Sequence, residues 1–378
     1  MNFPIKVSPR ARLVLLAVAL LSLFYFILDS YLTNDTSGCS LQRDHIFFLK
    51  MHKCGSSTVQ NILMRRGLQK ELNFVLPRNG HYLGHPEPFR RSHVDARFLS
   101  FDATFDVLAH HSRFSPCGVA EVMPPDAVKV TILREPVDLF ESLYNYYKLN
   151  RARYGQSLGK LLQFDLQMLK SMAKSMSRWG GRIGFNQMAF DVGLMPEDFY
   201  KKWRVNQTIK QMDEQFDLVM ISEHMEASLV LLADTMCWPL EEVAFVSLNR
   251  RLNSTTARTE LSDSEKEKLR EVNWADARIY DHFKGEFERK VREYGEAKME
   301  AKVAELKRLN AQLEAECISQ VIEPENPSKD YPVFTYQINE NAAEVCKLVV
   351  MEELDFTAML KRVQLERFSH LEGDVDDA

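Results

Sequence analysis

The stretch from Ile46 to Gly67 limits the folds open to this chain more than any other. Ile46-Phe47-Phe48-Leu49 is a short apolar run that reads as a buried strand. Lys50-Met51-His52-Lys53-Cys54-Gly55-Ser56-Ser57-Thr58 follows, a small-residue loop carrying two lysines. Val59, Ile62 and Leu63 then fall at helical spacing, and the helix stops at Gly67. Strand, Gly/Ser/Thr loop and helix aim backbone N–H groups and a positive helix end at an anion. The lysines favour a phosphate or a sulfate. In a Walker A loop the lysine directly follows the last glycine, whereas here both lysines come first.

Other short apolar runs extend this unit into an α/β pattern. Strands are expected at Leu72–Leu76, Phe105–Ala109, Val128–Leu133, Phe216–Ile221 and Val243–Leu248, separated by helical stretches. That alternation predicts a mostly parallel sheet, P-loop-like, flanked by helices. Residues 46–294 form the expected catalytic domain. Beyond it, 295–378 read as a C-terminal helical extension with a proline-bearing loop over Val321–Tyr336 and an acidic, disordered tail from Gly373. The net charge of −5 over 378 residues gives no general affinity for nucleic acid, so any phosphate site is local.

The N-terminus reads as a membrane anchor. Leu13 to Leu28 is uncharged and apolar, and Lys6, Arg10 and Arg12 precede it. About 16 residues at 1.5 Å each span roughly 24 Å, which suits a thin early-secretory or Golgi bilayer. Residues 1–12 are then a cytoplasmic tail, 13–29 a transmembrane signal anchor and 30–45 a stem, with the rest lumenal. A cleaved signal peptide is the alternative. Asn34, Asn206 and Asn253 head glycosylation acceptor triplets. Six cysteines suffice for disulfides in an oxidising compartment, and none has metal-site spacing. Cys317 and Cys346 flank the proline-bearing loop and are expected to pair, whereas Cys54, inside the lysine loop, is expected free.

Ligands of a parallel sheet bind beyond the carboxyl ends of its strands. Lys50 and Lys53, with Gly55, Ser56, Ser57 and Thr58, follow the first strand. His110 and His111 follow Phe105–Ala109, and Arg134 follows Val128–Leu133, with Ser142 eight residues on. Arg134-Glu135-Pro136 with Ser142 sets an Arg and a hydroxyl about a helix start, suited to a second phosphate. A kinase would want a metal-binding Asp at such a strand end. The pattern therefore suggests a nucleotide with two separate anionic ends and no obligatory metal.

FLKMHKCGSSTV, HHSRF, PPDAVKVTILREPVDLFESLYNYY, FNQMAFDVGL and FDLVMISEHMEASLVLLADTMCWPLEEVAFVSLN resemble the galactose-3-O-sulfotransferase family, which includes the galactosylceramide sulfotransferases. The resemblance runs from about Ile46 to Tyr294 and implies the sulfotransferase fold. It also implies 3′-phosphoadenosine 5′-phosphosulfate as donor and a galactose-terminated glycolipid or glycan as acceptor. Lys50 to Thr58 would match the 5′-phosphosulfate loop, and Arg134 with Ser142 the 3′-phosphate site. The family is Golgi-resident with a type II anchor, in agreement with the N-terminus. Cys54 stands where Thr is expected in many relatives. For mechanism, Lys53 would meet charge on the departing phosphate, and His111, ahead of His110, would take the sugar hydroxyl proton. Trp179, Phe185 and Trp203 are candidates for stacking on the sugar face, although aromatics are more often core. A homodimer is among the partners considered. A P-loop-like kinase and a catalytically silent glycan-binding Golgi protein are the competing readings.

Overall fold

A computed structural model describes residues 41–376 except 101–103, 176–177, 179, 248–259 and 323–334. The expected tail and anchor, residues 30–40 of the stem, Asn34, Trp179 and Asn253 lie outside the described residues. Among the described residues, no helix is long and apolar enough to cross a membrane.

From Arg43 the chain forms one unit. Strand β1 (Ile46–Leu49) is buried at every residue, as a strand covered on both faces must be. Helix α1 (Ser56–Gln69) carries the chain away from it. β2 is only Val107–Leu108. β3 (Val128–Leu133) leads into α2 (Pro136–Tyr146), with proline in the first turn where its missing N–H costs nothing. Short helical turns at Leu149–Ala152, Leu158–Leu161 and Leu166–Lys174 replace the continuous helical stretch expected there. The next elements are α3 (Gln187–Asp191), α4 (Lys202–Gln215), β4 (Leu218–Ile221) and α5 (Met225–Met236). Three charged helices follow: α6 (Asp263–Val272), α7 (Trp274–Tyr294) and α8 (Glu296–Cys317).

The four strands are parallel in the order β2-β1-β3-β4. The chain leaves β1 for one side of the sheet and later builds β3 and β4 on the other. A crevice therefore opens between the carboxyl ends of β1 and β3, the switch point where doubly wound sheets bind ligands. The loop after β1 and Arg134 after β3 are thus neighbours by topology.

Two expected strands do not form among the described residues, where side chains satisfy their backbone. The stretch at Leu72–Leu76 makes only a bridge from Phe74 to Val107. Its outer edge is taken by the Gln364 amide, which accepts from the Phe74 N–H (2.8 Å) and donates to the Phe74 carbonyl (3.1 Å). Around Val243–Ser247 the Phe245 N–H donates to Asn310 Oδ1 and the Ala244 carbonyl accepts from Arg65 Nη2. Neither group is left for a ladder.

Residues past 294 pack on the same core. β5 (Ile318–Ile322) and β6 (Thr335–Ile338) pair antiparallel where a loop was expected; the three prolines lie between them in sequence. Cys317 and Cys346 form the expected disulfide. α9 (Glu344–Val350) and α10 (Glu353–Asp376) then lie against α1. The helix α10 runs through Gly373 to Asp376, where a disordered tail was expected.

Candidate active site

The loop after β1 is bent by two left-handed residues, Lys53 (φ 57°) and Gly55 (φ 75°). A Cβ at Gly55 would come 2.6 Å from the Met225 methyl carbon, so both backbone and space demand glycine. Gly55 is also the N-cap of α1, whose first turn carries no acidic residue and receives no side-chain cap. Of the expected donor groups, the Thr58 N–H turns back to the Gly55 carbonyl (3.1 Å). The Ser56 hydroxyl donates to the Met51 carbonyl (2.6 Å), a bond that shapes the loop from within. The N–H groups of Ser56 and Ser57 lie in the first turn and have no intrahelical partner, which leaves them for an anion. Cys54 is free and fully buried, and burial pushes its thiol well above the ordinary value, so it is inert.

Arg134 and Lys53 come together. Arg134 Nη1 donates to the Lys53 carbonyl at 3.0 Å, tying the end of β3 to the loop. The Lys53 ammonium sits 3.5 Å from the centroid of the Tyr146 ring, on α2. The start of α2 does not serve as a second anion site in the way the sequence suggested. Glu135 caps it, accepting from the Val137 N–H (2.6 Å) and the Asp138 N–H (3.1 Å). Of the groups expected there for a second anion, the Arg134 side chain and not the helix start remains. Ser142 is buried two turns into α2 and makes no hydrogen bond to Arg134 among the described contacts.

Lys50 departs furthest from expectation. It is 1% exposed, and its ammonium pairs with Glu353 of α10 at 2.5 Å instead of facing the loop mouth. Burial pulls Lys50 below its usual pKa, against the raising effect of Glu353. On the partner, burial alone would raise the carboxyl, but Lys50 and then His110 carry it down to about 2.

His110 and His111 diverge, as alternation along a strand requires. His110 is sealed in, with Nε2 2.9 Å from Thr357 Oγ1 on α10, and burial lowers it to about 3. His111 turns the other way. Its Nδ1 lies 3.0 Å from the Lys50 carbonyl, so Nδ1 carries the proton and Nε2 is bare. Burial, then the Lys50 charge, holds it well below the ordinary histidine value.

His111 stacks on His52 with ring centroids 4.2 Å apart, and His52 is the residue that strand-end reasoning missed. His52 Nδ1 lies 2.7 Å from Asp191 Oδ2, and its backbone N–H donates to the same oxygen (3.3 Å). The other oxygen, Oδ1, accepts from His85 Nε2 (2.9 Å) and Gln187 Nε2 (2.9 Å). Burial would raise the Asp191 carboxyl, but His52 and His85 override it and hold it well below the carboxylate range. His52 Nε2 faces the Tyr82 hydroxyl at 3.4 Å. His52, His85 and Asp191 are close enough to hold a cation, yet their ligand atoms already bond one another. The Asp191 carboxylate is placed by α3, whose Ala189 and Met188 N–H groups donate to buried Asp276. Asn186, left-handed at φ 53°, locks the same turn to α7 by accepting from the Ala275 N–H. Asn186 to Asp191 lie in FNQMAFDVGL, so a motif quoted for likeness also carried a site residue.

Among the proposed sugar stackers, Phe185 is core, stacked on Phe140 at 4.3 Å. Trp203 is 65% exposed on α4, one turn before the exposed acceptor Asn206.

An anion loop at the switch point of a parallel sheet, with a carboxylate-backed imidazole inside that loop, is the equipment of a group-transfer enzyme for an anionic donor. The chain matches the family model described as Galactose-3-O-sulfotransferase over residues 12–364. It is 30% identical over 350 residues to galactosylceramide sulfotransferase of Bos taurus, covering 85% of this chain and 79% of that protein. Galactose-3-O-sulfotransferase 3 of Mus musculus is 31% identical over 350 residues, with 85% and 78% covered. For galactose-3-O-sulfotransferase 2 of Homo sapiens the values are 30% over 375 residues, with 93% and 92% covered. The chain belongs to the galactose-3-O-sulfotransferase family and is a transferase. Its parallel four-stranded sheet with flanking helices fits a sulfotransferase fold.

Proposed function

We propose that this chain moves a sulfuryl group from 3′-phosphoadenosine 5′-phosphosulfate to the 3-hydroxyl of a galactose on a glycolipid or glycoprotein glycan. One observation carries the mechanism: a histidine in the anion loop, His52, is held by a buried carboxylate, Asp191, while its other nitrogen has only a long contact to the Tyr82 hydroxyl (3.4 Å) that an acceptor hydroxyl would replace. The acceptor oxygen forms a bond to sulfur as the bond from sulfur to the phosphate oxygen breaks. His52 Nε2 takes the hydroxyl proton, and Asp191 fixes the ring and stabilises the imidazolium formed. Lys53, with the N–H groups of Ser56 and Ser57, meets the charge left on the departing phosphate, and Arg134 takes the 3′-phosphate. The scheme uses no metal ion.

His111 is the second candidate for the base, since its Nδ1 carries the proton, which leaves Nε2 able to accept one, and it lies against His52. The carboxylate behind His52 favours His52 as the base. The test is transfer of labelled sulfate from the donor to galactose-terminated glycolipids and glycans. Label on the galactose supports the reading. Donor binding without turnover would identify a silent glycan-binding protein, and phosphoryl transfer a kinase.

The same proposal places the enzyme in the Golgi membrane as a single-pass type II protein with a lumenal catalytic domain. The apolar run Leu13–Leu28 behind its basic residues supports this, as do the bonded cysteines Cys317, Cys346 and Cys237. Protease protection of residues 46–378 in sealed microsomes is the expected result. Asn206, exposed on α4, would then carry a glycan removable by endoglycosidase.

A further inference from the structure

The loop assigned to the donor has two ends, and one carboxylate holds both. Lys50 is the first residue after β1, and Gln60 lies in the second turn of α1, just past the loop. Glu353 Oε2 bonds the Lys50 ammonium at 2.5 Å, while Glu353 Oε1 accepts from Gln60 Nε2 at 2.9 Å. Both loop residues are about 1% exposed. Glu353 opens α10, where the helix dipole favours a negative charge. Its own turn is fixed in place: Thr357 Oγ1 donates to the Glu353 carbonyl at 2.7 Å and meets His110 Nε2. Asn61 Nδ2 donates to the Leu348 carbonyl at 2.8 Å, so the preceding helix α9 is bound to α1 as well. The disulfide from Cys346 in α9 to Cys317 anchors this strap to the end of α8.

We propose that Glu353 is a positioning residue of the transferase site, clamping the two ends of the donor loop through Lys50 and Gln60. The loop between the clamped ends carries His52, Lys53 and the N–H groups of Ser56 and Ser57, all of which need fixed positions to act. Lys50 serves the donor indirectly, as the handle by which the loop is held. The inference rests on the reading of Lys50 to Thr58 as the donor loop.

The test measures binding of adenosine 3′,5′-bisphosphate, steady-state transfer and melting temperature for the full-length protein, for Glu353→Gln, and for Lys50→Met with Glu353→Leu together. Replacing a buried ion pair by apolar residues of similar size commonly restores stability. The double variant is therefore expected to melt within a few degrees of the parent, yet to lose about 10- to 100-fold in kcat/KM for the donor, the cost of a reacting group displaced by about an ångström. Glu353→Gln should lose a similar factor. A double variant that recovers both melting temperature and kcat/KM reduces the pair to a stability element and overturns the proposal, as does a fully active Glu353→Gln. If the parent protein itself fails to bind the bisphosphate, the donor-loop reading falls instead.

Discussion

Asp191 and Glu353 grip the same loop two residues apart, yet they grip it for different ends. Asp191 holds the His52 ring by one nitrogen and leaves the other only a long contact to the Tyr82 hydroxyl (3.4 Å), with four donors converging on its own two oxygens. Glu353 holds the buried Lys50 ammonium and spends its second oxygen on the Gln60 amide. A buried carboxylate satisfied by imidazoles can stabilise the imidazolium that forms when a proton arrives. One satisfied by a lysine is locked, because separating that pair strands a buried charge. The first arrangement suits chemistry and the second suits support.

The largest effect should come from breaking the Asp191 side. His52→Ala is expected to lower kcat by about 10²–10⁴-fold while binding of adenosine 3′,5′-bisphosphate stays within about threefold. His111→Ala, assayed beside it, should cost less. If His111→Ala is inert and His52→Ala active, the base is His111, and the carboxylate behind His52 is structural.

Next in size are the two residues proposed to contact the donor, Arg134 and Lys53. Arg134→Ala removes a charge-assisted bond worth about 1.5–3 kcal/mol, so affinity for the bisphosphate should drop by roughly 10- to 150-fold. Lys53→Ala should lower kcat more than affinity, because its charge is needed most when the phosphate departs. Equal losses in both parameters would show Lys53 to be a ground-state contact.

These two groups of residues differ in how far the sequence revealed them. Lys53, Gly55 and Arg134 are adjacent to strand ends, so β1 and β3 read as strands place them at once. His52 stood in the same loop but was read as part of a lysine loop, since nothing local marks it as paired. Its partner Asp191 lies 139 residues away on a five-residue helix that apolar periodicity cannot register. The same blindness hid Glu353, 303 residues from Lys50, and made Lys50 look like a donor contact. The core strands were legible because burial writes itself into runs such as Ile46–Leu49. The edge at Phe74 was not, since a glutamine side chain there replaces a strand that the pattern leads one to expect.

A pH experiment reaches the support side without touching the loop. His110 is held neutral at about 3, below its unfolded value of about 6.5, so the unfolded chain binds its proton first as pH falls. Stability should therefore decline from pH 6.5 toward about 3, with His110 contributing at most about 1.4 kcal/mol per pH unit. His110→Asn should flatten that slope by one group's share, seen in urea midpoints, while leaving transfer at pH 7 largely intact. His85 and His111, also lowered by burial, would keep the remainder.

The smallest effect on activity, and the sharpest test of the division of labour, should come from the disulfide. Cys317 and Cys346 close a segment of 29 residues, and opening it restores chain entropy to the unfolded state worth about 3–4 kcal/mol. Cys346→Ser should therefore lower the melting temperature by several degrees. Glu353 lies beyond the bridge and is fixed to the core by its own bonds to Lys50 and Gln60, and α10 is held farther along by Gln364 on Phe74. Transfer at 25 °C should accordingly fall by no more than about threefold, with the loss growing as the strap loosens near the melting point. Were kcat to collapse at 25 °C in a variant that is still folded by circular dichroism, the clamp at Glu353 would depend on the staple, and the two carboxylates would no longer act independently on the loop.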